Sequence, residues 1–438
     1  MSSLSSLPAL LRHHPAVADL LGGDARVVAV PDAPRAYFIA GLAALSERCP
    51  ILVAMPTGAE AERLAHDLRE FLPDPHDVDV FPAWETLPFE RVSPAIETMG
   101  RRLRTMWRLR AGGERMPRVV VAPVRALVQR LGPHVEDVDP IAVAPGQVVD
   151  QEDLVRRLVA AGYRREYQVE SRGEIAVRGS IVDVYPSTAD HPVRIDLWGD
   201  EVDRLQSFSI ADQRSTGEVE AVEIFPCREL LPTDDVRERA ERLIATEPWG
   251  REHWERLSQG ALFDGMESWL PWLTDDRGGS DEAGEHLLPD LLPDDALVLL
   301  VEPKRMRDRA QELLDEEESL ASSLATTWGA GGDGGDAFPR LSLPFERLLA
   351  HTKADAWTVL PAPESPATPH LAGTAFDPVA GDAEAFARRI NALTTEGYRL
   401  VIAADGRGSA ERLQKVLAEQ GLTVVIRDEI DANPKPGV

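Results

Sequence analysis

The chain has 438 residues, 43% of them apolar, and carries 74 acidic against 47 basic side chains for a net charge of −27. That length provides for roughly two to four domains, and the charge argues against a general nucleic-acid binder, whose phosphate contacts need a local cationic field. Two cysteines, Cys49 and Cys227, exclude a disulfide framework and suit a reducing, cytoplasmic setting, while the absence of a basic n-region and of any long apolar run excludes a signal peptide and a membrane span.

Residues 4–20 read as one short amphipathic helix, with His13-His14 in a flexible terminus. Arg26–Val30 (RVVAV) reads as a buried strand, followed by the turn Pro31-Asp32-Ala33-Pro34 and a helix over Arg35–Ser46. Ile51–Ala54, Val78–Phe81 and Val119–Ala122 read as further strands, with a helix at Ala59–Phe71 and a turn into Pro123–Leu131. Apolar strands alternating with helices predict a parallel α/β sheet. In such a sheet the first strand-to-helix turn is where nucleotide phosphates sit. A P-loop needs glycines for backbone approach, a lysine for the phosphates and a hydroxyl for magnesium. Here the turn reads VPDAPRAYF, without glycine and with Arg35-Ala36 where Lys-Ser/Thr is required; no lysine precedes Lys304, and no Gly-Lys pair occurs. No cofactor is expected, and Arg35 reads as an exposed arginine at a helix start.

The stretch 97–111 places Met99, Leu103 and Met106 on one helical stripe and Arg101, Arg104 and Arg108 on another, with Arg102 and Arg110 nearby. Contact with a partner or phosphate is one reading; a solvated helix face, or pairing with acidic helices in the same molecule, is the other and the preferred one. A boundary follows at Gly132–Gln147, then a helix at Asp153–Ala161.

Tyr163–Arg214 organises the chain. Glu174–Arg178, Ser180–Tyr185 and Val193–Trp198 alternate or are β-rich, and Gly- and Pro-containing turns separate them, which predicts a small antiparallel sheet. The stretch holds no lysine, but arginines at 164, 165, 172, 178, 194, 204 and 214 among ten acids. Arginine's planar fork suits bidentate pairing with carboxylates at an interface. The strand-like Val219–Phe225 is expected to lead back to the first domain.

Residues 234–259 and 306–318 read as charged helices, Asp275–Glu285 and Gly329–Asp336 as loops, and Ala296–Val301 as a strand followed by Glu302. Trp249, Trp254, Trp269 and Trp272 read as core. After Trp357–Pro361 a Pro/Ala-rich linker spans Pro361–Pro378, then helix Ala383–Thr394, strand Arg399–Ala404, helix Ser409–Gln420 and strand Leu422–Ile426. GRGSAER at 406–412 is explained by helix capping at Ser409. No HExxH, Cys/His metal spacing or GxSxG occurs, and no catalytic residue or metal ligand is assigned.

The pattern YRR…SRGEIAVRGSIVDVYP…VRIDLWGDEVDRLQSF resembles domain 2 of the excision-repair protein UvrB. It is closer still to the same module in the bacterial transcription-repair coupling factors (the Mfd family). FPAWETLPFERVSPAIETMGRRLRTMWRLR and VVVAPVRALVQRLGP extend that resemblance. It implies an α/β fold in which a degenerate helicase-like parallel-sheet domain (1–132 and 218–360, the second half with a helical insert) carries an inserted antiparallel β-rich α+β domain (133–217). A linker (361–378) and a small, truncated α/β domain (379–438) would follow. The lost P-loop favours the coupling-factor family over UvrB, and the lack of tyrosines between Tyr37 and Tyr163 removes the DNA-wedging hairpin.

The implied partner is UvrA, docked through Arg164, Arg172, Arg178, Arg194 and Arg204, without ATP hydrolysis by this chain. In the intact family the surface is masked in cis by C-terminal domains. RNA polymerase and DNA are engaged only through domains without counterpart here, and no membrane is involved. Two alternatives stand beside recruitment: a structural, autoinhibitory clamp on the motor domain, and a UvrB-like ATP-dependent repair protein, which the missing P-loop lysine disfavours.

Overall fold

Two units emerge from the packing of the chain, one of Met1–Glu47, Arg63–Val78 and Trp357–Val438, the other of Arg48–Glu62 and Asp79–Ala356. The structure is a computed structural model and describes residues 4–430 except 24, 89, 134, 275–284, 329–337, 374–375, 377–381, 405 and 429. The expected loops at 275–284 and 329–336, and part of the linker, lie outside the described residues.

The chain enters through a 3-10 turn (Pro8–His13) and α1 (Pro15–Gly22). The single helix expected over 4–20 is therefore two pieces. Pro15 has no N–H to donate and takes the first position of a new helix, so His14 turns extended and the His13-His14 pair sits at this joint. There follow β1 (Val27–Ala29), α2 (Arg35–Leu45), β2 (Ile51–Met55), α3 (Gly58–Phe71), β3 (Val78–Val80), α4 (Ile96–Ala111), β4 (Val119–Pro123) and α5 (Val124–Leu127). The three predicted strands after β1 each lie within a residue of their observed bounds. Runs such as Ile-Leu-Val-Ala are buried on both faces, as a parallel sheet requires.

Next come β5 (Ile141–Val143) and α6 (Gln151–Ala160), whose capping Asp150 accepts from the Asp153 N–H at 2.7 Å. Six strands build the smaller sheet: β6 (Arg164–Arg165), β7 (Glu174–Arg178), β8 (Ile181–Val184), β9 (Val193–Trp198), β10 (Glu201–Phe208) and β11 (Ser215–Glu218). They lie in the order β11-β10-β9-β8-β7-β6, antiparallel except for the β6–β7 pair. The three predicted strands are present, and β10 joins β9 through a two-residue turn in which Gly199 takes φ +64°. β12 (Val222–Ile224) does not lead straight back to the larger sheet. It pairs antiparallel with β5, and its Val222 and Ile224 share a core with Leu154, Leu158, Val182 and Ile195.

The remainder runs α7 (Asp234–Thr246), α8 (Arg251–Ser258), α9 (Leu270–Thr274), β13 (Leu297–Val301), α10 (Pro303–Trp328), α11 (Phe345–His351), β14 (Asp355–Leu360), α12 (Ala383–Thr395) and α13 (Arg407–Glu419). The larger, parallel sheet has the order β1-β14-β13-β2-β4-β3. Trp249, Trp254, Trp269 and Trp272 form a core cluster with Phe338, ring centroids 5.1–6.1 Å apart. The expected strands Arg399–Ala404 and Leu422–Ile426 do not form among the described residues. Their apolar side chains pack locally with Ile390 and Leu417, but among the described residues no neighbouring strand completes a ladder beside them.

Candidate docking site on the smaller sheet

Alternation decides what the smaller sheet shows. In β9 the residues Val193, Ile195 and Leu197 point inward to the core under α6, so Arg194, Asp196 and Trp198 take the opposite face. Register then aligns two rows across that face: Asp183 opposite Arg194 and Gln206, and Arg178 opposite Ile181, Asp196 and Arg204.

The arginines of this face differ in freedom. Arg194 is locked: Nε and Nη2 donate to the two oxygens of Asp183 at 2.7 and 2.9 Å, Nη1 donates to the Gln213 carbonyl at 3.3 Å, and the guanidinium lies 4.8 Å from the Phe208 ring centroid. Asp183 is 1% exposed. The hydrogen bonds to Asp183 hold the Arg194 pKa above its ordinary value against the opposing effect of burial. Arg204, 56% exposed, donates to Asp196 at 3.0 and 3.2 Å. Arg178, 42% exposed, lies 3.9 Å from Asp183, beyond hydrogen-bonding distance.

The other two predicted residues lie elsewhere. Arg164 is on the β6 edge, exposed and 3.6 Å from Glu174. Arg172, in the turn before β7, faces Glu97 of α4 at 3.4 Å and Asp190 at 3.7 Å, with Tyr185 beneath it at 5.2 Å. The five arginines therefore form two groups: Arg178, Arg194 and Arg204 on one face, Arg164 and Arg172 by the start of β7. Sequence reasoning passed over the exposed apolar side chains of this region, Val148, Tyr167 and Trp198. For Trp198 the signal was present, since the parity of β9 places it on the same face as Arg194.

Where the chain enters and leaves the module, buried groups tie it down. The Tyr163 hydroxyl donates to the Phe225 carbonyl at 2.8 Å, and Ser187 Oγ donates to the same oxygen at 2.9 Å while its N–H donates to the Tyr163 hydroxyl at 3.0 Å. Burial pushes the Tyr163 hydroxyl well up, and it pushes the neighbouring Cys227 thiol up to about 12, which leaves that thiol unreactive.

The basic helix α4 is paired within the molecule. Arg101 meets Glu62 at 3.0 Å, Arg104 and Arg108 meet Asp79 at 3.4 and 2.9 Å, and Arg110 meets Asp139. Arg102 is fully buried, donating to Glu229 at 2.7 and 3.0 Å and to the Pro82 carbonyl at 2.9 Å, over the Phe81 ring. Internal pairing thus prevails over a solvated face.

The turn before α2 is also closed. Arg35 is not an exposed helix-start arginine: it is 3% exposed and donates to Asp32 at 2.8 Å, because α2 is buried on most sides. Residues 369–371 run beside β1, with Ala29 N–H donating to the Pro369 carbonyl and Leu371 N–H to the Ala29 carbonyl, both at 2.9 Å. Gly373 presses on the turn so closely that a Cβ there would lie 2.8 Å from Pro34 Cγ. This half of the linker is thus held against the sheet. Glu302 faces Arg305, which also meets Glu60 at 3.0 Å. Among the described residues no cluster of three or more metal-ligating side chains occurs, and no helix is long and apolar enough to cross a membrane.

Residues 141–230, which start at the first residue of β5 and end beyond β12, match the family described as UvrB interaction domain. The transcription-repair-coupling factor of Mycobacterium tuberculosis is 35% identical over 435 residues, covering 93% of this chain and 34% of that protein. Those of Bacillus subtilis (29% identical; 73% of this chain, 27% of that protein) and Escherichia coli (32%; 51% and 19%) are similar over shorter stretches. The chain spans about a third of the length of the first of these relatives.

Proposed function

The chain is homologous to the N-terminal, UvrB-like region of the transcription-repair-coupling factors, and from that premise we propose that it is a recruitment module of transcription-coupled DNA repair, docking UvrA through the outer face of its smaller sheet. The observation that carries this is the coincidence of the matched interaction domain with a sheet whose outer face offers Arg178 and Arg204 to solvent. Both are presented on paired strands, so little ordering cost accompanies docking, and a guanidinium that meets a carboxylate in a drying interface gains bidentate hydrogen bonds. Arg194 serves this surface from beneath by neutralising Asp183.

The module works without nucleotide chemistry of its own. At the first strand-to-helix turn Asp32 already holds Arg35, its carboxylate would repel a phosphate, and Gly373 packs over Pro34. RNA polymerase and DNA are engaged through parts of the longer family proteins, and the site of action is the cytoplasm.

The test is binding of purified UvrA to the unaltered chain and to Arg178→Ala and Arg204→Ala. Each substitution is expected to weaken binding by about tenfold or more while leaving folding intact. Unchanged affinity in both would overturn the docking face. Addition of Mg-ATP is expected to leave the melting temperature unchanged, and ATP-dependent turnover would overturn the non-catalytic reading.

A further inference from the structure

The arginine-rich helix α4 is engaged on two sides. Leu103 and Met106 lie in one core with Leu52 of β2 and Val120 of β4, which fixes the helix to those strands. Its other contacts run along the matched module, residues 141–230, and the approach to it. At the start of the helix Ile96 packs against Gly173, where a Cβ would lie 2.7 Å from Ile96 Cδ1, and Glu97 meets Arg172 at 3.4 Å. One turn on, Gly100 sits against Ser187, in the turn between β8 and β9. Arg102 holds Glu229, beyond β12, in a pair shielded from water. Trp107 Nε1 donates to Asp139 at 3.0 Å, just before β5, and Arg115, past the helix end, meets Glu223 of β12 at 2.6 Å. The contacts thus extend along all 16 residues of α4, about 24 Å, and take hold of the module at its entry, its middle and its exit.

Gly100 makes the closest of these approaches. A glycine inside a helix is less stable than an alanine, so its place in the second turn of α4 calls for a packing reason. Here a Cβ would lie 2.5 Å from Ser187 Oγ and 2.6 Å from Ser187 Cβ, closer than unbonded atoms can come. Ser187 has no room to retreat: it is fully buried, its Oγ donates to the Phe225 carbonyl at 2.9 Å and its N–H donates to the Tyr163 hydroxyl at 3.0 Å. We propose that α4 is the mount of the docking module and Gly100 its key. Seated there, the module moves with β2 and β4 as one body and presents its outer face in a single pose. The use of that pose for docking rests on the reading above, whereas the mount concerns this chain alone. A partner that docks is thereby oriented relative to β2 and β4 without the cost of ordering a hinge.

The experiment measures the distance between two spin labels on the full chain by pulsed EPR. The labels are attached through Glu218→Cys on the exposed β11 and Asp308→Cys on α10, whose Met306 and Ala310 share the core with β2. Cys49 is replaced by serine, and Cys227, 1% exposed, is left in place. The parent is expected to give one narrow distance. Gly100→Ala is expected to broaden or shift it and to speed exchange of the Ser187 and Cys227 amides about tenfold or more, with the β4 and β8 amides unchanged. Adding Ser187→Gly, which removes both atoms that the new Cβ would strike, is expected to bring the parent distance back. A broad distance in the parent, or an unchanged one in Gly100→Ala, would overturn the mount. Damage in Gly100→Ala that Ser187→Gly does not repair, general unfolding included, would overturn Gly100 as its key. The two readings separate cleanly: a parent with a narrow distance that does not bind UvrA refutes docking and keeps the mount, and a parent with a broad distance that binds UvrA does the reverse.

Discussion

Arg194→Ala is expected to damage the fold before it affects docking. The substitution removes both hydrogen bonds to Asp183, the bond to the Gln213 carbonyl and the contact with Phe208, and leaves a carboxylate that is 1% exposed without its hydrogen-bonded cation, with Arg178 still 3.9 Å away. Breaking a buried pair from one side costs about 3–5 kcal/mol. Arg194 is itself partly exposed, so water reaches the vacated space and lowers the cost to about 3 kcal/mol. The assay is hydrogen exchange of the β8 and β9 amides, which is expected to speed up about 100-fold in Arg194→Ala. Arg204→Ala, whose partner Asp196 stays partly solvated, should shift the same amides by less than about 1 kcal/mol. Asp183→Asn added to Arg194→Ala removes the stranded charge and is expected to recover about half of the loss. If the exchange rates of Arg194→Ala stay within about threefold of the parent, or if Arg204→Ala proves equally damaging, the assignment of Arg194 as the neutralising partner of Asp183 is wrong.

Further expectations concern the body that carries the sheet. Glu229→Ala strands the buried Arg102 guanidinium and should cost about 3–5 kcal/mol by denaturant titration, whereas the double change Arg102→Met with Glu229→Met should recover most of it; a double variant as unstable as the single one would contradict this. Gly173→Ala should lower stability by about 2 kcal/mol, because φ is +81° and the new Cβ would lie 2.7 Å from Ile96 Cδ1; Gly179→Ala, at φ +61° but in open space, should cost about 1 kcal/mol, and equal melts for the two would show that the Ile96 clash is relieved. Burial alone would lower the His351 pKa, but contacts of its ring nitrogens with Asp290 at 2.8 Å and Glu285 at 3.1 Å raise it. Its contribution is therefore full below the unfolded value of about 6.5 and is lost as pH rises through the raised folded value. Glu285 behaves oppositely: burial would raise its pKa, but bonds from Arg347 and His351 lower it, so its contribution is lost on acidification below about pH 4. His351→Asn should consequently destabilise more at about pH 6 than at about pH 9, and a pH-independent loss in thermal melts would refute the pairing.

What could be read from the sequence was local. Ile51–Met55, Val119–Pro123 and Leu297–Val301 announce themselves because a strand buried on both faces must be continuously apolar. The β7, β8 and β9 strands show through their alternation and glycine turns. β10 was overlooked because Glu201, Asp203, Arg204, Gln206 and Ser207 leave few apolar residues to mark an alternation, and its strand character comes from pairing with β9. The roles of the arginines depend on contacts distant in sequence. Nothing near Arg102 announces Glu229, 127 positions away, and Asp183 becomes the partner of Arg194 only once β8 and β9 are in register. Hence seven arginines read as one patch divide into structural, edge and solvent-facing members. The strands expected after Arg399 and Leu422 had the right apolar content, but a ladder needs a neighbour, which composition cannot supply.

The exposed indole of Trp198 also makes the surface optically legible. Trp84, Trp107, Trp254, Trp269, Trp272 and Trp357 are buried in the interior and Trp249 is half-buried. Emission from Trp198 should therefore lie to the red of theirs and fall first to a dissolved quencher such as acrylamide. A docked partner that covers the ring would shift that component to the blue and shield it, so occupancy of the sheet can be followed by intrinsic fluorescence without attaching any label.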